Sequence, residues 1–251
     1  MAQLFDRPVA HRGLHDRAGG VIENSATAFA RAVAGDFAIE CDLQLTRDGV
    51  PVVFHDETLE RLTGLRGAVR DITADALCAT PLLASANGDC PQRLADFLKQ
   101  IAGRVRLQIE LKRQRGPATG MLAKRVAEQL DHYAGPVTVQ SFDPALIMLV
   151  RKFGFKGKRG IITGRYAAAG GDDAGLSGAQ RFFLRHLLHW PLTRFSFISC
   201  DKTALDLPAV RRFKALGMPL TAWTVTSRDE AALARRAGAQ IVFEGFDPDH
   251  D

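Results

Sequence analysis

Short apolar runs alternate with helical patterns along most of the chain. Runs at 8–11, 37–43, 52–54, 105–111, 137–140, 160–162, 197–199, 220–224 and 241–243 are rich in β-branched and bulky side chains and read as strands. Between them, apolar positions recur at helical spacing near 94–101, 121–130, 146–153, 181–188, 210–216 and 230–237. A first helix is expected through Phe29 and Val33, with Asn24 as its N-cap and Gly35 closing it. Strands separated by helices imply βα units and a parallel sheet. About eight such units predict an α/β fold, a (β/α)8 TIM-type barrel, and 251 residues is close to the usual length of one.

Nine strand segments compete for eight barrel places. The link between Leu43 and Val52 is too short for a helical crossover. Either 52–54 returns antiparallel, or the link crosses in an extended form. The second is expected, because it brings His55 to the same barrel end as Glu40 and Asp42. The segment 57–91 is loop-rich and breaks the rhythm. It reads as a small insertion over the C-terminal face of a single domain, 1–251.

Composition adds few constraints. A hydrophobic fraction of 46% and a charged fraction of 24% are ordinary for a globular protein with a substantial core. The net charge of +5 favours anionic substrates or an acidic surface, but no nucleic-acid recognition motif accompanies it. The N-terminal residues lack an apolar signal core, and no apolar stretch is long enough to span a bilayer. Cys41, Cys78, Cys90 and Cys200 are scattered, without metal-type pairing. Reduced thiols and a cytoplasmic location are therefore expected.

The polar residues at strand ends carry the chemistry. His11, Asp42, His55, Glu110, Lys112, Ser141, Trp223 and Glu244 lie at or near the C-terminal ends of predicted strands, which form the catalytic face of such a barrel. Glu40 and Asp42 are two apart on one strand and point to the same side. Buried together they repel, unless a cation neutralises them or one stays protonated. Glu110 is a third carboxylate of the same kind. Three carboxylates suit a hard divalent ion such as Mg2+ or Ca2+. The alternative is a structural ion network with Arg12 and Lys112.

His11 and His55 are the candidate acid and base, since histidine titrates near neutral pH. Arg12 offers a planar fork to phosphate oxygens, and Lys112 a point charge. His15, His132, His186, His189 and His250 are expected to have no carboxylate partner at a strand end. The chain has no Gly-x-Ser-x-Gly elbow, no cysteine in a catalytic setting, and neither Walker A nor Gly-x-Gly-x-x-Gly loops. Attack by water or by a substrate hydroxyl fits better than a protein nucleophile.

The motifs His11-Arg12-Gly13, Glu23-Asn24-Ser25, Ile39-Glu40-Cys41-Asp42, Thr46-Arg47-Asp48-Gly49, Val52-Val53-Phe54-His55-Asp56 and Leu59-Glu60-Arg61-Leu62-Thr63 occur in order. Ile109-Glu110-Leu111-Lys112, Gln140-Ser141-Phe142-Asp143 and Ala222-Trp223-Thr224 follow them. In these segments the chain resembles the glycerophosphodiester phosphodiesterases, of the phospholipase C-like barrel type.

The resemblance implies a divalent metal ion on Glu40, Asp42 and Glu110, and His11 and His55 as the acid/base pair. It further implies phosphate binding by Arg12 and Lys112, and a glycerol pocket walled by Phe142 and Trp223. The implied reaction is hydrolysis of a small-molecule glycerophosphodiester to glycerol 3-phosphate and an alcohol. Attack by the glycerol 2-hydroxyl would give a cyclic phosphate that water then opens. Alternatives are action on lysophospholipids, a reaction stopping at the cyclic phosphate, and, ranked lower, a silent barrel that binds phosphorylated ligands.

Ile22 stands where proline is usual, and Thr226 where asparagine often follows. Glu244, in Phe243-Glu244-Gly245-Phe246-Asp247-Pro248, stands near the place of a family Asp; it either takes that role or only borders the pocket. The segment 181–190 mixes basic and bulky apolar residues at helical spacing. It is expected to pack an apolar face inward as an outer helix. The alternative is a membrane-surface or homodimer contact.

Overall fold

The computed structural model describes residues 6–166 and 175–249. The strands are β1 (Val9–Ala10), β2 (Ala38–Leu45), β3 (Pro51–Val53), β4 (Leu107–Leu111), β5 (Val137–Ser141), β6 (Lys158–Thr163), β7 (Phe197–Asp201), β8 (Leu220–Val225) and β9 (Gln240–Phe243). The helices are α1 (Ala26–Ala34), α2 (Glu60–Thr63), α3 (Ala74–Cys78), α4 (Leu94–Ile101), α5 (Pro117–Asp131), α6 (Pro144–Lys152), α7 (Gly178–Arg185), α8 (Trp190–Thr193), α9 (Pro208–Ala215) and α10 (Arg228–Arg236). All strands except β3 pair in parallel, and β1 bonds to both β2 and β9, so the sheet closes into an eight-stranded barrel. The expected α/β barrel is present.

The ninth strand departs from expectation. β3 runs antiparallel to the end of β2, pairing Val53 with Leu43 and Pro51 with Leu45. β2 overshoots the barrel, turns and comes back. Thr46 fixes the turn: its hydroxyl donates to Asp48 Oδ1 at 2.6 Å and accepts from the Val50 amide at 3.1 Å, while Gly49 takes φ 75°. The returning chain then hydrogen-bonds Phe54 N to the Asp42 carbonyl at 3.0 Å. The antiparallel return therefore still brings His55 to the mouth.

β2 is buried along its whole length, as a strand between barrel interior and outer helices must be. Ile39, Cys41 and Leu43 join the core beneath the helices, with Phe29 of α1 and Leu94, Phe97, Leu98 and Ile101 of α4. Glu40, Asp42 and Gln44 therefore face the other way, into the barrel. The register aligns Glu40 with Gln108 and Asp42 with Glu110, and carries on from Glu110 to Gln140. One sector of the interior is thus polar, and Gln108 donates to Gln140 at 2.7 Å within it.

The N-cap of α1 is Ser25 rather than Asn24. The Ser25 hydroxyl accepts from Ala28 N at 3.1 Å. Asn24 instead takes φ 56° and turns its side chain into the site. Within 57–91 a small separate core forms, with Leu59, Leu62, Val69, Ala74, Leu77 and Leu82 packed on Ile22, Val52 and Phe54.

The expectation for 181–190 holds only in part. Leu184 and Leu187 are buried, but Phe182, Phe183, Leu188 and Trp190 are exposed. Among the described residues no helix is long and apolar enough to cross a membrane. All four cysteines are free.

Candidate active site

Barrel closure sets the first histidine. His11 N donates to the Phe243 carbonyl at 2.9 Å, so the ends of β1 and β9 lie side by side. His11 Nδ1 and Glu244 Oε2 are 2.7 Å apart. The Glu244 carboxylate therefore orients the ring and leaves Nε2 as its other functional nitrogen. His15 Nε2 also approaches Glu244, at 3.4 Å, which corrects the expectation that His15 has no carboxylate partner. The chain pattern gave no sign of this, since His15 lies in a loop.

The second histidine has the same arrangement by a local route. His55 Nδ1 is 2.7 Å from Asp56 Oδ1. Arg61 of α2 donates to both Asp56 oxygens, at 2.6 and 2.8 Å, and to both oxygens of Glu23 at 2.8 Å. Glu23 in turn accepts from Arg12 Nη1 at 2.7 Å. Gln44 Nε2 donates to the His55 and Asp56 carbonyls, both at 3.1 Å. Glu23 and Arg61 both sit inside motifs visible in the sequence, yet only the structure shows that they form one chain from Arg12 to His55.

Glu40, Asp42 and Glu110 present carboxylate oxygens all within 4.8 Å of one another. Lys112 Nζ lies 2.9 Å from Asp42 and 2.8 Å from Glu110. Arg12 Nε is 3.4 Å from Asp42, and Asn24 Nδ2 donates to Asp42 at 2.9 Å. The ion network foreseen as the alternative is thus partly present. Glu40 stands apart from it: it is buried, makes no ion pair among the described residues, and accepts from the Arg12 backbone N–H at 3.1 Å.

The charges follow from this geometry. Burial, followed by repulsion from Asp42 and Glu110, pushes the Glu40 carboxyl well above its usual range. Burial also raises Glu110, with Lys112 opposing it. For Asp42 burial acts upward too, but Lys112, His55 and Arg12 outweigh it and hold this carboxyl below its usual range. Burial lowers His11, against the pull of Glu244.

Two neighbouring cavities with shared walls open on these groups. The inner one, about 110 Å3, lies among His11, Glu40, Gln140, Ser199 and Trp223, with Val242 at its edge. Phe142 and Trp223 meet edge to face across it, their ring centroids 5.5 Å apart. Ser199 Oγ and Trp223 Nε1 are buried there without a hydrogen-bond partner. The outer cavity, about 540 Å3, is more open and is bordered by Asp56, Glu57, Arg70 and Arg115. His55, Glu110, Lys112 and Phe142 line both. His11, Arg12, Glu40, His55, Glu110, Lys112, Phe142 and Trp223 all line these cavities, while Asp42 lines neither and is held by Lys112 and Arg12.

The sequence model of the Glycerophosphoryl diester phosphodiesterase family matches residues 11–245. The chain belongs to this family. A glycerophosphodiester phosphodiesterase of Bacillus altitudinis is 32% identical over 161 residues, covering 61% of this chain and 62% of that protein. One of Caldanaerobacter subterraneus is 46% identical over 70 residues, 28% of each chain. Both matches span less than two thirds of the relative's length.

Among solved structures, an Oleispira antarctica phosphodiesterase in complex with the product sn-glycerol-3-phosphate superposes with a TM-score of 0.79. The identity is 20%, and the match covers 96% of this chain and 93% of that one. The fold is thus shared over nearly the whole chain.

The carboxylate cluster of this phosphodiesterase-family barrel fits a divalent ion. The donor set is all hard oxygen. Glu40 makes no ion pair among the described residues, and the charges of Arg12 and Lys112 do not outweigh its burial beside two other acids, so it is costly to ionise without a bound cation.

Proposed function

We propose that the chain hydrolyses glycerophosphodiesters to glycerol 3-phosphate and an alcohol. The observation that carries this reading is the pair of neighbouring cavities, which share His55, Glu110, Lys112 and Phe142 in their walls. A diester has one phosphorus and two arms, and the site offers one anion-binding junction with a chamber on either side. The inner chamber takes the glycerol arm: Phe142 and Trp223 cover its carbons, and Ser199 Oγ and Trp223 Nε1 are available to its hydroxyls. The outer chamber takes the other alcohol. Arg12 and Lys112 bind the phosphate oxygens.

Glu40, Asp42 and Glu110 would hold a divalent ion, Mg2+ or Ca2+. When bound, it supplies a Lewis acid beside the phosphate and satisfies the buried carboxylates. The remaining chemistry belongs to the histidines. His11 borders only the inner cavity, whereas His55 borders both. His11 therefore takes the proton from the glycerol 2-hydroxyl as that oxygen attacks phosphorus. His55 gives a proton to the departing alcohol oxygen. The bond from phosphorus to that oxygen breaks, and a cyclic glycerol phosphate forms. Water then opens the ring, with the two proton transfers reversed. His11 suits the base role because burial holds its pKa below 6.5 and keeps it neutral at physiological pH.

The test is release of glycerol 3-phosphate from glycerophosphocholine and glycerophosphoethanolamine, with and without EDTA. Release that EDTA abolishes is expected. Absence of release with Mg2+, Ca2+ and Mn2+ each supplied would overturn the reading. Phosphorus NMR of the products would show whether the cyclic phosphate is opened or accumulates.

A further inference from the structure

The outer cavity has an uneven charge. Arg70, Arg113 and Arg115 line it, together with Glu57. Arg70 is bound to Glu57, and Arg115 approaches the same group at 3.5 Å. Arg113 makes no ion pair among the described residues. The other acids on this wall are already committed: Asp56 to His55 and Arg61, and Glu110 to Lys112. An alcohol entering here therefore meets guanidinium groups in excess over free carboxylates.

The rim is also held in place. Gln114, between Arg113 and Arg115, donates to Gln44 Oε1 at 3.0 Å and to the Lys112 carbonyl at 3.0 Å. Thr119 Oγ1 donates to the Gln114 carbonyl at 3.2 Å. Because Gln44 also holds the His55 and Asp56 carbonyls, the arginine loop is tied to the acid/base histidine. Guanidinium groups gathered at one cleft favour planar, multivalent anions, and a loop backbone already held in place reduces the entropy lost on binding.

We propose that this outer cavity selects leaving alcohols that carry negative charge, the phosphorylated polyols, over cationic alcohols such as choline. The proposal rests on the reading of the outer cavity as the alcohol chamber. The same rim disfavours a quaternary ammonium by like-charge repulsion.

Binding and turnover are measured separately, so the two readings fail separately. Calorimetric titration of the full chain in EDTA reads binding without turnover for glycerophosphoinositol, glycerophosphoinositol 4-phosphate and glycerophosphocholine. At low salt the phosphorylated diester is expected to bind about 10-fold tighter than its unphosphorylated counterpart, with choline weakest, and the gap to shrink as salt screens the exposed arginines. The double substitution Arg113→Gln/Arg115→Gln, at two exposed positions, should remove most of that gap. Equal affinities, a preference for choline, or a gap that the double variant leaves intact would overturn the subsite. Turnover is then followed with Mg2+. Release of glycerol 3-phosphate from none of the three would overturn the proposed activity, while the binding order still decides the charge preference.

Discussion

The two histidines reach the same local chemistry by opposite routes. His11 pairs with a carboxylate 233 positions away, brought beside it when β9 closes the barrel against β1. His55 pairs with its immediate neighbour. Its support is an added hairpin strand and the insertion helix that carries Arg61. The His11 pair depends on the barrel closing. The His55 pair depends on an ion-pair chain, Arg12–Glu23–Arg61–Asp56, that also holds Arg12, the proposed phosphate ligand. The first pair is therefore outside that chain, and the second is joined to it.

The hardest test of this comparison removes each ring. His11→Ala and His55→Ala should each lower turnover by roughly 100- to 10,000-fold, the usual contribution of a positioned acid or base. Divalent ion binding, followed by calorimetry, should survive both. Full activity in either variant would end the acid/base assignment for that residue.

A smaller effect separates the supports. Glu244→Gln still accepts a hydrogen bond from His11 but loses its charge. It should lower kcat by about 10-fold with KM little changed, in the range found when an orienting partner is replaced. Asp56→Asn also breaks the contact with Arg61, and through Glu23 loosens Arg12. Its kcat should fall by a similar amount, again about 10-fold, and its KM should rise with it. A rise in KM for Glu244→Gln, or none for Asp56→Asn, would break the distinction.

The smallest effect is on stability in acid. Burial opposes ionisation of Glu23, but hydrogen bonds from Arg61 and the charge of Arg12 lower its pKa to about 2, from the ordinary 4.5. A folded-state pKa below the unfolded value stabilises above pH 4.5, and that stabilisation is lost as pH falls towards 2. The loss is at most roughly 3 kcal/mol. Urea midpoints at pH 6 and pH 3 should therefore differ more in the wild type than in Glu23→Gln. Equal differences would show that Glu23 is not the acid-sensitive part of the His55 support.

Much of this was legible in the sequence, because periodicity reports burial. β2 alternates so strictly that the inward face of Glu40 and Asp42 followed from spacing alone. The direction of β3 did not. An eight-residue link fits either direction, and the hydrogen bonds of Thr46 with Asp48 and Val50 that turn it back appear only in three dimensions. Asn24 reads as a helix cap because its side chain suits one. It is drawn to Asp42 instead, and its left-handed backbone leaves the cap to Ser25. His15 was missed for a simpler reason: its partner Glu244 lies at the far end of the barrel sequence, and a loop histidine has no pattern to betray such a contact. The place of Glu244 itself was left open by the sequence and is decided by the seam.

That seam rests on β1, two residues long and bonded to strands on both sides. It gives protein synthesis an order. Glu244 is added only after the last barrel strand, 233 positions behind His11. Glu40, Asp42, His55, Asp56, Arg61 and Glu110 all precede it in the chain. The proposed acid/base pair is therefore completed by the same event that completes the barrel, because the carboxylate that orients His11 arrives with β9.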